Sequence, residues 1–511
     1  MNKMLKVLPF IAFFFLSVSL ICGCTSVRIV EVEKVVEKKV SIPSGSIRGR
    51  VLIDGQLMVS GIEIYNHDTG IRYREHTDLT GAFNIQLAPA HYTLEFDRGP
   101  EFSKYSVDVD IKSYSVNNLG NIILEQCTDL YSKGWVAGDL HMHTYYSDGS
   151  DSVENQLLGN LSKGLYFGFL TDHNSYEGIQ EWTNGDGLVS YRGRNGEERL
   201  FHAFEGLEIT TQFGHFQSLG APTYFDTAVT NVEGSLKAKE KVVEYNEEIS
   251  RRIESIASAI RNNGAMPQIN HPFSSMDMGF NFWALGDLFD TIEIWNGVFV
   301  PGDGRYESSS PNNLEQNYES KLLWYELLNE VKNGGKFHAA TCGTDNHDSS
   351  GKYRYKDIDV SSILNMEQYN EVYKRSGLDN GVPMIFVRCV DNEITLENVI
   401  RAVREGHSFL SNGITVLAYA NGASYGDSAP IDDDMQLELD VFAYEGIERI
   451  QVIKNGQVYV ELLFDAPVQR FSESLCLKEI NAGDWVVIEV CGVDANYAIT
   501  NPIFFGIKPE V

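Results

Sequence analysis

Polar and apolar positions change rhythm twice along this chain. Residues 46–126 alternate at period two between turn signals, as in Ile47-Arg48-Gly49-Arg50-Val51-Leu52-Ile53 before Asp54-Gly55, then Gly61-Ile62-Glu63-Ile64-Tyr65. Such alternation puts one face of each strand in a core and the other in water, which predicts a small antiparallel β-sandwich. From 127 to 412 apolar runs alternate with helix-like stretches. Strands are predicted over Trp135 to Leu140, Tyr166 to Leu170, Phe201 to Ile209, Ala265 to Ile269, Thr291 to Trp295 and Phe337 to Thr341. Helices are predicted over Val242 to Asn262, Tyr318 to Lys332 and Thr395 to Arg404. Repeated strand–helix alternation of this length predicts an α/β domain, either a parallel barrel or a doubly wound sheet. Residues 413–511 return to period two, as in Leu437-Glu438-Leu439-Asp440-Val441, and predict a second, C-terminal β-sandwich.

Ahead of the first sandwich the pattern is that of a processing signal. Lys3 and Lys6 precede an apolar run from Val7 to Ile21, and Ile21-Cys22-Gly23-Cys24 then sets small residues before a cysteine. This resembles the bacterial lipobox, which implies a signal peptide over 1–23 and acylation of Cys24; an uncleaved membrane anchor is the alternative. Either way the body of the protein is expected to be exported and tethered to a membrane, in the periplasm or at the cell surface. Each buried methylene of a lipid adds roughly 0.8 kcal/mol of anchoring. Residues 24–45, in which Val and Ile alternate with Glu and Lys, read as the tether.

Composition is that of a globular chain, 43% hydrophobic and 22% charged over 511 residues. The formal net charge of −30 repels phosphate backbones, so no nucleic-acid polymer is expected as a partner. None of the seven cysteines falls in a C-x-x-C pair, which excludes a thiolate zinc or redox motif. Cys476 and Cys491 either bridge within the C-terminal region or stay free.

The chemistry lies at the predicted strand ends of the α/β region. In Gly138-Asp139-Leu140-His141-Met142-His143-Thr144 the extended backbone points His141 and His143 the same way. Leu170-Thr171-Asp172-His173 closes the next strand; Asp172 and His173 face opposite ways if extended. Glu205-Gly206-Leu207-Glu208 closes another, with His215 seven residues after Glu208. Asn270-His271-Pro272 and Gly343-Thr344-Asp345-Asn346-His347-Asp348 follow two more. Strand ends in a parallel barrel open on one rim. Imidazoles mixed with carboxylates suit Zn²⁺, Mn²⁺ or Fe²⁺.

Two family resemblances follow. Thr77-Asp78-Leu79-Thr80-Gly81-Ala82-Phe83-Asn84-Ile85 with Pro89-Ala90-His91-Tyr92-Thr93-Leu94 resembles the carboxypeptidase regulatory-like domain, which implies a spacer or docking module over 46–126. His141-x-His143, Asp148, Thr171-Asp172-His173, Glu208, His215, His271 and Asp345-x-His347 resemble the polymerase and histidinol phosphatase (PHP) superfamily of metallohydrolases. Glu405-Gly406-His407-Ser408-Phe409-Leu410-Ser411-Asn412-Gly413 and Ala495-Asn496-Tyr497-Ala498-Ile499-Thr500-Asn501-Pro502 narrow the likeness to its carbaryl-hydrolase-like (CehA/McbA) branch.

The superfamily resemblance implies a distorted (β/α)7 barrel holding two or three divalent metals. His141, His143, Glu208 and Asp345 would hold one; Glu208 would bridge to a second completed by His215 and His271. Asp148, His173 and His347 would hold a third. Glu205 is an alternative to Glu208. A metal-bound hydroxide is the implied nucleophile, since bound water ionises near pH 7. Asp172 is then a proton shuttle, an orienting carboxylate, or a buried structural group. The implied substrate is a small ester, a phosphoester first, with a carboxylic or carbamate ester as the alternative and a non-catalytic surface lipoprotein as the third. A phosphate wants a guanidinium clamp, for which Arg305 and Arg354, with Lys352, are the candidates.

Overall fold

The period-two rhythm of the first stretch produces two four-stranded sheets in the computed structural model. The structure describes residues 44–507 and 509, except 71, 193–197, 212, 222–246, 275–278, 298–300, 302–316, 349–379, 390–391 and 433. In one sheet Gly45–Ile53 pairs with Gln56–Leu57, Ala82–Leu87 and, in parallel, Val116–Leu124. The second runs Arg72–His76, Gly61–Asn66, Ala90–Asp97, Tyr105–Ile111, antiparallel throughout. Ile47, Val51, Ile62, Ile64, Leu94 and Phe96 meet in one buried apolar cluster between them.

Seven strands of the middle region then follow one another in space as they do in sequence: β1 (Trp135–Asp139), β2 (Phe167–Leu170), β3 (His202–Thr211), β4 (Gly214–Leu219), β5 (Met266–Ile269), β6 (Thr291–Asn296) and β7 (Ala339–Gly343). Pairs β1–β2, β2–β3, β5–β6 and β6–β7 are parallel. The expected strand–helix alternation fails at β4, which is antiparallel to both β3 and β5. Only residues 212 and 213 separate β3 from β4, too few for a crossover helix. His215 is therefore a residue of a strand, opposite Thr210, rather than of a loop after β3.

Four of the helices among the described residues are placed by their apolar stripes and caps. α1 (Val153–Ser162) starts at Ser152, whose hydroxyl accepts the Asn155 amide. α2 (Glu247–Asn262) buries Ile249, Ile253, Ile256 and Ile260 at helical spacing. α3 (Asn317–Val331) is offset by one residue from the predicted span Tyr318 to Lys332. α4 (Leu396–Arg404) is capped by Thr395, which accepts from the Asn398 amide. None of the helices among the described residues is long and apolar enough to cross a membrane.

The C-terminal region is not a sheet of its own. β8 (Met384–Arg388) lies antiparallel to β1 and to β9 (Ser408–Ser411), and β9 pairs with Tyr497–Thr500. Through that edge Ile414–Ala420, Gln436–Lys454, Gln457–Cys476 and Trp485–Gly492 continue the central sheet. The strands of the expected C-terminal sandwich are thus hydrogen-bonded to the central sheet, because β9 offers an open backbone edge that the next strands satisfy. Cys476 and Cys491 are both free, and the Cys491 thiol accepts from Arg449 Nη2 at 3.2 Å.

Candidate metal centre

Glu208 and His215 lie within β3 and β4, while the other predicted ligands sit a short way past strand ends, where the backbone is held by further pairings. Beyond β7 and β1 the chain bonds again, Asp345 N to His141 O at 2.8 Å and His143 N to Asn346 O at 2.9 Å. Met142 bridges Asn346, and His173 bridges Glu208, both in parallel. His271 and Asp345 sit at φ of 23° and 49°, in the left-handed region that non-glycine residues rarely adopt. Gly343 must be glycine: a Cβ there would stand 2.2 Å from His141 Cβ and 2.8 Å from Glu293 Oε1.

These constraints gather the predicted residues around Glu208, which is fully buried. Its Oε1 lies 3.1 Å from His215 Nδ1 and 3.2 Å from His271 Nε2, and accepts Asn270 Nδ2 at 2.9 Å. Its Oε2 lies 3.4 Å from Nε2 of both His141 and His143 and 2.7 Å from His173 Nδ1. Asp345 Oδ1 is 3.3 Å from His141 Nε2 and 2.9 Å from His143 Nε2. On the open side Asp148 Oδ1 stands 3.0 Å from His347 Nε2 and 3.6 Å from His173 Nε2, with 59% of the Asp148 side chain exposed.

Three groupings have ligand atoms within 4.8 Å of one another: His141, His143, Glu208 and Asp345; His143, Asp148, His173 and His347; and His173, Glu208 and His215. His143 thus joins the third implied set as well as the first. His271 reaches the centre through Glu208. Glu205, the alternative, is only partly buried.

The donor set tests whether a cation fits. Nε2 of His141, both ring nitrogens of His143, Nδ1 of His271, Oε2 of Glu208 and Oδ1 of Asp345 are buried without a hydrogen-bond partner. Leaving such groups unpaired costs free energy that a shared cation would recover. Mixed nitrogen and carboxylate donors suit Zn²⁺, Mn²⁺ or Fe²⁺.

Without a cation the charges compensate one another. Burial works against ionised Glu208 and Asp345, but the facing imidazoles outweigh it and hold both carboxyls well below their usual range. Burial lowers His141, yet Asp345, Glu293 and Glu208 together raise it well above an ordinary histidine. His143 falls to about 3, through burial first and then the neighbouring His347 and His173. The lowering of His143 and His215 favours the neutral, ligating ring, while the raising of His141 favours a proton that a metal would displace.

Asp172 stands apart from this gathering. Its carboxylate accepts Thr144 N at 2.6 Å, Thr144 Oγ1 at 2.7 Å and Ser147 Oγ at 2.7 Å, which is the geometry of an orienting group beneath the loop after His143. Arg305, Lys352, Arg354 and Cys24 lie outside the described residues.

Two carboxylates were missed by sequence reasoning. Glu293 on β6 accepts His141 Nδ1, the His271 amide and Asn296 Nδ2, each at 3.0 Å, so it orients one ligand ring and one ligand backbone. Asp139 accepts Thr344 Oγ1 at 2.5 Å and the amides of Thr344 and His141 at 3.1 Å; burial lifts its carboxyl to about 6. The signal was available: a lone acid inside the apolar run Thr291-Ile292-Glu293-Ile294-Trp295, and another just before His-x-His.

No family model matches the chain. A DNA polymerase/3'-5' exonuclease PolX of Bacillus subtilis is 22% identical over 195 residues, 31% of this chain. The chain spans about a third (34%) of that relative's length. Among solved structures, a two-domain protein from Bacteroides vulgatus containing a predicted PHP-like metal-dependent phosphoesterase is similar at 14% identity and a TM-score of 0.32, covering 72% of this chain and 95% of that one. An amidohydrolase from Chromobacterium violaceum is similar at 17% identity and a TM-score of 0.25, covering 41% and 87%.

Proposed function

We propose that this chain is a metal-dependent phosphoesterase of the PHP type. In this reading β1–β7 are the strands of its distorted barrel, and the bonds between the segments after β7 and β1 are its closing contacts. The observation that carries the reading is Glu208: one buried carboxylate faced by five imidazoles, with the unpartnered Nε2 atoms of His141 and His143 beside its Oε2. His141, His143 and Asp345 would hold a cation on its Oε2 side, and His215 and His271 another on its Oε1 side. Asp148, His173 and His347 would hold a third at the mouth.

When bound, such ions supply Lewis acidity and lower the pKa of a coordinated water toward about 7. The chain's own residues supply the order around them. Glu293 fixes His141 through Nδ1, leaving Nε2 for the site. Asp172 clamps Thr144 and Ser147 and so holds the loop between His143 and Asp148. Arg305 and Arg354 are assigned the clamp on a substrate phosphate, and Cys24 the lipid that would tether the exported protein. A small ester fits an acidic chain better than a nucleic-acid polymer.

The test is to count metals bound to the full chain and assay p-nitrophenyl phosphate, bis-p-nitrophenyl phosphate and 1-naphthyl acetate, alongside Glu208→Gln. The reading expects metal-dependent turnover of a phosphate ester that Glu208→Gln abolishes. Turnover of 1-naphthyl acetate alone would reassign the enzyme to carboxylic esters. A metal-free, inert protein would make it a surface scaffold.

A further inference from the structure

A second group of metal-ligating side chains lies on the N-terminal domain, away from the centre built on Glu208. Strands Ala90–Asp97 and Tyr105–Ile111 pair so that His91 is opposite Asp110 and Thr93 opposite Asp108. Burial alternates along both strands. Tyr92, Leu94 and Phe96 go inward, while His91, Thr93, Asp108 and Asp110 share the outer face. His67 follows strand Gly61–Asn66, and its amide bonds to His91 O at 3.0 Å, which lays its ring beside that of His91. The two ring centroids are 4.6 Å apart. Ligand atoms of His67, His91 and Asp108 all lie within 4.8 Å of one another.

Two further contacts make this more than a coincidence of surface residues. His91 Nδ1 lies 2.9 Å from Asp110 Oδ1, which holds the ring and leaves Nε2 as its ligating nitrogen. This is the carboxylate–histidine arrangement that orients metal ligands. The Thr93 hydroxyl stands 2.8 Å from His67 Nε2 and donates to Asp108 Oδ1 at 2.6 Å, so one side chain holds both remaining donors. Among the described residues neither Asp108 nor Asp110 pairs with a lysine or arginine. Two carboxylates without a basic partner beside two adjacent imidazoles form a place for a divalent cation rather than for an anion.

We infer that His67, His91 and Asp108 form a second, surface metal site, selective for zinc-like ions that accept two imidazoles and one carboxylate. Asp110 acts as its positioning residue. The site joins the edge strand Tyr105–Ile111 to its neighbour and to the turn after Asn66, and its open coordination positions face solvent.

The test is equilibrium dialysis of the full chain against graded free zinc, with His67→Ala, His91→Ala and Asp108→Asn. Each variant is expected to bind one zinc fewer than the parent while turnover at the main centre is unchanged. Asp110→Asn is expected to keep the site but weaken it about 10- to 100-fold. On the unsubstituted protein, zinc should protect His67 and His91 from diethyl pyrocarbonate, read by peptide mass spectrometry. An unchanged zinc count in all three variants, or labelling of both histidines indifferent to zinc, would overturn the site.

Discussion

Glu293 is a carboxylate whose three hydrogen bonds all serve groups at the candidate centre. Glu293→Gln removes the charge that holds His141 Nδ1–H and turns one acceptor into a donor. Metal affinity should fall about 10- to 100-fold with the fold intact, read by dialysis against graded zinc with circular dichroism as control. Gly343→Ala acts on the same ring by bulk. Its new methyl would meet both His141 Cβ and the Glu293 carboxylate, so the variant should lose metal at concentrations that saturate the parent. At this scale His141-x-His143 was legible because alternation aligns the two side chains, whereas Asp345 leaves the extended backbone at φ 49°. Glu293 was not, because nothing local says which of many acids a ring nitrogen will find.

α1 shows how an element far from the chemistry governs a loop inside it. Ser152 caps its first turn, and Gln156 reaches from it to donate to His143 O at 2.8 Å and to Asn346 O at 3.3 Å. The helix thereby ties together the loops after β1 and β7. Ser152→Ala should cost about 1 kcal/mol of stability, the usual loss of a cap, measured by urea unfolding. Gln156→Ala takes the side-chain donor from the buried His143 carbonyl and should cost about 1–3 kcal/mol, with weaker metal binding as well. The reach of Gln156 to Asn346 was not legible in the sequence, since 190 residues separate them.

Across the whole molecule, the N-terminal sheets are fastened to the α/β region by a buried charge cluster. Asp97 accepts Arg74 Nη2 at 2.8 and 3.0 Å, and Lys163 Nζ lies 3.1 Å away. Arg98 donates to Leu161 O at 2.6 Å beside it. Burial opposes ionised Asp97, but Arg74 and Lys163 outweigh it and hold the carboxyl far below the usual range. A depressed folded pKa adds stability that is present above the unfolded value of about 3.9 and is lost as pH falls below it. Melting temperatures followed from pH 7 to pH 3 should therefore drop more steeply for the parent than for Asp97→Asn. At pH 7 Asp97→Ala should cost about 3–5 kcal/mol, because two buried cations lose their carboxylate. Chelation should lower the melting temperature too, since an ion at 100 times its Kd contributes about 2.7 kcal/mol.

What the sequence by itself determined is what a few neighbouring residues decide: the rhythm of strands and helices, and the setting of His141 and His143 two apart just past one strand. The tertiary structure alone decided the antiparallel turn-back of β4, the joining of the C-terminal strands to β9, and the choice of Glu293, Asp139 and Asn270 as supports around the ligands. Periodicity records which side of an element is buried and says nothing of which element lies against it. Pairing partners and buried hydrogen bonds are settled only when every backbone edge and every buried charge must be satisfied at once.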